Sequence, residues 1–231
     1  MIASAGLAAQ SLGRPAIAGL STAQIVDRMQ DRNMAQTAEL KHYRSVRHYK
    51  VVYNGFSTTI EGELVVEVNY DASMGKNFRI LSQSGSKFLC EKVLKRAVDS
   101  EKEASLDKNS TALTTANYRF SLLGNGEAAG RPAYLLRVDP IRPSKFLYRG
   151  TIWVDEADFA VVKVEAEPAR NPSFFISRTT ILTIAAQTGR FWLPRSTRSE
   201  TKVRFGGTAV LTIDFGTYEV VAKDSRASAG G

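Results

Sequence analysis

Few residues in this chain are of types and spacings that could carry out covalent or metal chemistry. His42 and His48 are six apart, so an extended strand would set both on one face, where Glu61 or Glu63 opposite could complete a zinc site. No third ligand can be identified, and two histidines alone read as surface residues. Asp155, Glu156 and Asp158 cluster as calcium-binding carboxylates do, yet they lack the glycine-punctuated spacing of a calcium loop and read as a solvated turn. Cys90, the only cysteine, sits at the edge of an apolar helical stripe and reads as a small buried hydrophobe. There is no Gly-x-Ser-x-Gly elbow, phosphate loop or dinucleotide fingerprint. The expectation is a protein without an active site, metal or cofactor.

Composition narrows the remaining roles. The 231 residues are 43% hydrophobic and 23% charged, an ordinary globular balance, and no apolar run approaches the ~18 residues of a membrane span. The net charge of +8 suits an anionic partner, but no zinc-finger spacing, helix-turn-helix pattern or RNA-binding aromatic signature points to nucleic acid. Residues 1–20, rich in Ala, Gly and Ser, read as a flexible tail or the remnant of an export signal, and residues 223–231 as a second tail. Residues 21–222 then form one domain, expected to be a monomer.

Hydrophobic periodicity supplies the elements. Ser21 or Thr22 can cap a helix whose stripe is Ile25, Val26, Met29 and Met34. From Glu39 to Tyr53 the pattern becomes a long strand. Beyond Asn54-Gly55, Ile60, Leu64, Val66, Val68 and Tyr70 share one face while Glu61, Glu63, Glu67 and Asn69 share the other, and Phe78 and Ile80 mark a third strand. Helical spacing returns with Leu89, Val93, Leu94, Ala97 and Val98. After a turn at 107–110, strands follow with Tyr118, Phe120 and Leu122, then with Tyr134, Leu136 and Val138 on their apolar faces.

Two hairpins allow statements about register. Phe146 to Val154 and Phe159 to Ala166 flank the acidic turn, and a four-residue loop would set Trp153 opposite Ala160 and Ile152 opposite Val161. One face then carries Phe146, Tyr148, Ile152, Val154, Phe159 and Val161, the other Leu147, Trp153, Ala160, Val162 and Val164, so both faces need cover. Near the C-terminus, a three-residue loop Gly206-Gly207-Thr208 would pair Val203 with Leu211 and Thr201 with Ile213. That places small Thr197, Ser199 and Thr201 beside large Leu211, Ile213 and Phe215, which leaves space on the inner face.

Nine to eleven antiparallel strands with two substantial helices cannot be covered on both sides as a flat sheet. The expected fold is α+β but mainly β, a curved incomplete half-barrel with two helices over its concave side, an architecture that tends to enclose an apolar cavity. The lining expected from the alternation is Leu64, Val66, Val68, Phe78, Ile80, Tyr118, Phe120, Leu136, Ile152, Val203, Leu211, Ile213 and Phe215.

GRPAYLLRVDP (130–140), FLYRGTIWVDEADFAVVKVEAEP (146–168) and FWLPRSTRSE (191–200), together with the order of elements over 21–221, resemble the bacterial outer-membrane lipoprotein-sorting family of LolA, LolB and the regulator RseB. The resemblance implies a periplasmic, non-catalytic carrier that takes acyl chains of a lipoprotein or lipid into a helix-lidded half-barrel for transfer to the outer membrane. It implies inner-membrane donor and outer-membrane acceptor proteins as partners. The regulatory branch implies an alternative, a module that binds an envelope protein. Cys90 lies too far along the chain to bear the lipid of a receptor-type lipoprotein.

Overall fold

The computed structural model describes residues 19–106, 108–171, 174, 176–204 and 206–222. The two expected tails lie outside these residues, apart from Gly19 and Leu20.

Helix α1 (Thr22–Glu39) begins where the sequence supplies a reciprocal cap. The Ser21 hydroxyl accepts from the Gln24 backbone N–H, while the Gln24 side chain accepts from the Ser21 N–H. Its buried stripe is Ile25, Val26 and Met29; Met34, expected on the same stripe, is exposed. Five residues beyond Met29, it has turned too far round the helix to follow the stripe.

The chain then runs without a break into β1 (Leu40–Asn54), followed by β2 (Thr59–Asp71) and β3 (Gly75–Gly85) as an antiparallel meander. A helical segment follows: α2 (Lys87–Leu89), a π-turn (Cys90–Leu94), α3 (Lys95–Leu106) and α4 (Lys108–Thr111). The π-turn closes through the Lys95 N–H to the Cys90 carbonyl, five residues back. The short α4 stands where a plain turn was expected.

The chain next enters the far edge of the sheet and returns strand by strand through β4 (Tyr118–Ala128), β5 (Arg131–Pro140), β6 (Tyr148–Asp155), β7 (Val161–Pro168), β8 (Ile176–Thr188), β9 (Phe191–Val203) and β10 (Thr208–Asp214). β10 pairs with the C-terminal half of β1, and β11 (Tyr218–Ala222) with its N-terminal half. The result is one open antiparallel sheet of eleven strands, an incomplete barrel with free edges at β3 and β4. At Gly150 the β6 backbone comes close to β7. A Cβ on Gly150 would run into the Glu165 carbonyl oxygen, so only glycine permits that approach.

Two registers differ from expectation. In the β6–β7 hairpin, Trp153 lies opposite Lys163 and Ile152 opposite Val164, with an irregularity before Val154↔Val161. The extra residue carries Val164 to the face of Ile152 and Val161. In the last hairpin the loop is longer, so Leu211 faces Ser199 and Ile213 faces Thr197, rather than Val203 and Thr201. That shift is an even number of residues, so the expected faces survive it.

Cross-strand partners trace the inner face. One row runs Leu136, Ile152, Val164, Thr183, Thr197, Ile213, Tyr49, Leu64, and the next runs Val138, Gly150, Ala166, Ile181, Ser199, Leu211, Val51. At one flank α1 covers this face: Ile25, Val26 and Met29 pack with Tyr118, Leu136, Val138, Ile152 and Val154. At the other, Leu89, Leu94 and Val98 pack on Tyr49, Val51, Leu64, Val66 and Val68. Burying each such side chain contributes about 1.5–3 kcal/mol before entropy is charged.

Candidate functional site

The thirteen residues expected to line a cavity divide among these regions. Leu64, Val66 and Val68 are fully buried beneath the inserted helix, with Phe78 packed at the margin and Ile80 exposed toward the β3 edge. Tyr118, Leu136 and Ile152 are fully buried beneath α1, with Phe120 beside them. Phe215 is buried, and Val203 is half-buried at the end of β9. Leu211 and Ile213 are half-buried and belong to the stretch of inner face between the two helical covers.

That intermediate stretch is the candidate site. On β8, β9 and β10 the inner face presents Thr179, Ile181, Thr183, Thr197, Ser199, Thr201, Leu211 and Ile213, all half-buried. Its hydroxyls pair across the strands: Thr179 with Thr201 at 3.0 Å, and Thr183 with Thr197 at 2.9 Å. Each pair satisfies its own polarity, so the floor presents methyl groups beside Ile181, Leu211 and Ile213. Where the floor meets α1, a hollow of about 220 Å³ lies between Arg32, Asn33 and Gln36 of the helix and Val162, Val164, Thr183, Ala185 and Trp192. Two bonds hold α1 there: the Gln36 side chain accepts from the Trp192 N–H at 2.9 Å and donates to the Trp192 carbonyl at 3.0 Å.

Larger hollows lie elsewhere. One of about 570 Å³, with the charged side chains of Arg137, Arg149, Arg198, Glu165, Glu167 and Glu200 in its wall, also reaches Ile181. Another, of about 710 Å³ beside the start of β1, combines Tyr43, Tyr70 and Met74 with His42, Arg44, Asp71 and Glu219. Their charged walls would have to be desolvated by a hydrocarbon occupant, which favours the intermediate floor for an apolar ligand.

Sequence alternation also passed over a polar island inside the inserted-helix core. Arg47 shares the buried parity of Tyr43, Tyr49 and Val51 and is 1% exposed. Its guanidinium meets both Glu101 carboxylate oxygens at 2.9 Å and lies 4.5 Å from the centre of the Phe215 ring. Lys76 meets the same carboxylate at 2.6 Å. Burial pushes the Glu101 carboxyl up, but Lys76 and Arg47 outweigh it and hold the group below the usual carboxylate range. Burial, with Glu101 nearby and Arg47 opposing, pushes the Tyr49 hydroxyl up to about 12. Arg47 Nε, Tyr49 Oη and Ser45 Oγ have no hydrogen-bond partner among the described residues. The island ties α3 to β1 and β3, the two sides of that flank. Parity was the available signal, because Arg47 and Ser45 share the row of Tyr43, Tyr49 and Val51.

The acidic turn is also more than a solvated bend. Asp155 is 1% exposed, bonded by Arg131 at 2.5 and 2.9 Å and by the Ala157 and Asp158 N–H groups. Arg131 chiefly holds its carboxyl below the usual range. Asp158 accepts from the Trp192 indole N–H at 2.7 Å. The turn therefore fastens β6 and β7 to β5 and β9. His42 lies 3.0 Å from Asp71, and among the described residues no three His, Cys, Asp or Glu side chains come together as a metal site. The Cys90 thiol is buried and donates to the Ser84 carbonyl at 3.3 Å.

No family model and no curated protein matches the chain. Solved structures do, and they include the LolA superfamily and outer-membrane lipoprotein-sorting proteins that the sequence segments resemble. A domain from Vibrio parahaemolyticus assigned to outer membrane lipoprotein sorting is 10% identical, with 89% of this chain and 93% of that one covered at a TM-score of 0.46. A LolA superfamily protein from Nitrosomonas europaea is 11% identical, with 92% and 99% covered at 0.39. A DUF1329 family protein from Desulfovibrio piger is 13% identical, with 89% and 95% covered at 0.48.

Proposed function

We propose that this protein is a non-catalytic periplasmic carrier that holds acyl chains of a lipoprotein or lipid against the intermediate inner face and delivers them toward the outer membrane. The observation that carries the reading is the half-buried floor of Ile181, Leu211 and Ile213 between two helix-covered cores, continuous with the hollow beneath α1. At ~0.8 kcal/mol per buried methylene, sheltering a long chain there is worth on the order of 10 kcal/mol before association costs, so no polar recognition motif is required. A hollow of 220 Å³ is smaller than the roughly 300–1,000 Å³ of ordinary ligand pockets. Full occupancy therefore needs α1 to lift or the chain to extend along the open floor, and closure of the helix would assist release.

The test is to purify the protein natively and analyse its extract by mass spectrometry, then to titrate delipidated protein with a fluorescent fatty acid. Co-purified lipid or saturable uptake supports the carrier. No lipid together with no uptake contradicts it. A second reading, a module binding an envelope protein, is favoured by the free β3 edge, where Ile80 and Leu81 are both more than a third exposed. Recovery of a membrane-bound partner by protein that takes up no lipid would support that reading.

A further inference from the structure

The two ends of the sheet differ in a way that acyl carriage does not require. Among the described residues, three phenylalanines are more than half exposed: Phe56 at 92%, Phe174 at 66% and Phe88 at 65%. All three lie at the end where β1 turns into β2, β7 leads to β8, and β3 gives way to α2. The opposite end, formed by the β2–β3 and β6–β7 turns, carries the half-buried carboxylates of Asp71, Glu156 and Asp158, while Asp155 there is buried against Arg131.

The aromatic end is built rather than merely uncovered. The Phe56 ring rests on Gly206, where a Cβ would strike it, and Gly206 has φ 128°. The Tyr53 hydroxyl donates to the Gly206 carbonyl at 3.1 Å and steadies this support. On the other side of the same loop, the Arg204 guanidinium lies 4.4 Å from the centre of the Phe174 ring. Phe56 on Gly206, and Arg204 over Phe174, thus set aromatic rings and positive charge side by side at this end.

Its charge is unbalanced as well. Lys87, Arg142, Arg170, Lys202 and Arg204 are exposed at this end and form no ion pair among the described residues. The carboxylates of Glu61, Asp139, Glu167 and Glu200 nearby are each already matched by a lysine or arginine. Exposed rings beside unmatched cations suit the boundary of an anionic bilayer, where rings enter the head-group layer and cations meet lipid phosphates.

We propose that this end of the sheet docks on the surface of an anionic lipid bilayer, with Phe56 and Phe174 at head-group depth and Arg204, Lys202, Arg170 and Arg142 over the phosphates. The inference stands apart from the carrier reading, because it concerns the end of the sheet and not its inner face.

The experiment is flotation of the full chain with vesicles of phosphatidylcholine alone or mixed with phosphatidylglycerol, at low and high salt. The protein is expected to float with the mixed vesicles at low salt, and to remain behind with phosphatidylcholine or at high salt. Removing one cation is expected to weaken binding roughly fivefold, so Lys202→Glu and Arg204→Glu should each lose at least that much. Phe56→Ser should lose a comparable factor, while Met74→Ser, at an apolar residue 80% exposed at the opposite end, should bind as the parent does. Thermal melts confirm that each variant is folded, and if Arg204→Glu is not, Lys202→Glu carries the charge arm. The proposal is overturned if the folded parent ignores anionic vesicles, if Met74→Ser is as impaired as Phe56→Ser, or if the protein binds polyglutamate but not vesicles.

Discussion

The covered flanks and the open floor of this sheet are built from the same kinds of residue. Val66 under the inserted helix and Ile152 under α1 are fully buried, whereas Ile181, Leu211 and Ile213, on the same face, remain half-buried. Residue type does not distinguish core from candidate site here; helical cover does. Small residues contribute too. Thr183, Thr197 and Ser199 stand low on the floor, so no side chain rises to fill the space that helices occupy at either flank. The flanks accordingly read as the scaffold and the floor as the binding surface.

The comparison breaks most visibly at the polar island of the inserted-helix flank. Glu101→Gln leaves Arg47 buried without its counter-charge, and removal of one partner of a buried pair costs about 3–5 kcal/mol. Denaturant unfolding should show that loss, and a loss below 1 kcal/mol would mean that the island does not clamp α3. Next in size, Leu136→Ala and Leu211→Ala remove the same atoms from a covered and an open position. The first should cost about 2–5 kcal/mol and the second clearly less, because a half-exposed site creates no closed cavity. Equal losses would erase the distinction between flank and floor.

Acid should act on the fastenings before the apolar floor. Asp155 is held down chiefly by Arg131, Glu67 by Arg44 and Arg79, and Asp71, chiefly by the Ser73 hydroxyl, to about 2. A depressed carboxylate contributes stability that is complete above its unfolded pKa near 4 and disappears as pH falls through its folded value. Stability should therefore decline below about pH 4, and Asp155→Asn should flatten part of that decline. A parallel decline in parent and variant would remove Asp155 from the account. The smallest effect is expected at the floor hydroxyls: Thr183→Val, which loses one paired hydrogen bond, should change stability by about 0.5–1.5 kcal/mol in denaturant unfolding.

Much of this was legible in the sequence, and what was missed has local causes. Alternation in β2 and the parity of Thr197, Ser199, Leu211 and Ile213 were readable because burial imposes period two on any strand with one covered face. The two hairpin registers were not, because loop length and an extra residue near Val162 depend on turn closure, which periodicity does not encode. Asp155 was read as solvated from its type, but its burial depends on Arg131, distant in sequence and adjacent in the sheet. Which apolar residues lie under helices and which lie open could not be read at all, since Leu64 and Leu211 carry the same pattern signal.

The most direct measurement is photocrosslinking of the delipidated protein with a diazirine-bearing fatty acid, followed by peptide mapping of the labelled residues. Labels concentrated on β10, at Leu211 and Ile213, and abolished by Ile213→Glu but not by Glu63→Lys on the opposite face, are the predicted result. Labels on the Arg137–Arg198 hollow of the outer face, or spread equally over both faces, would contradict the floor as the acyl site.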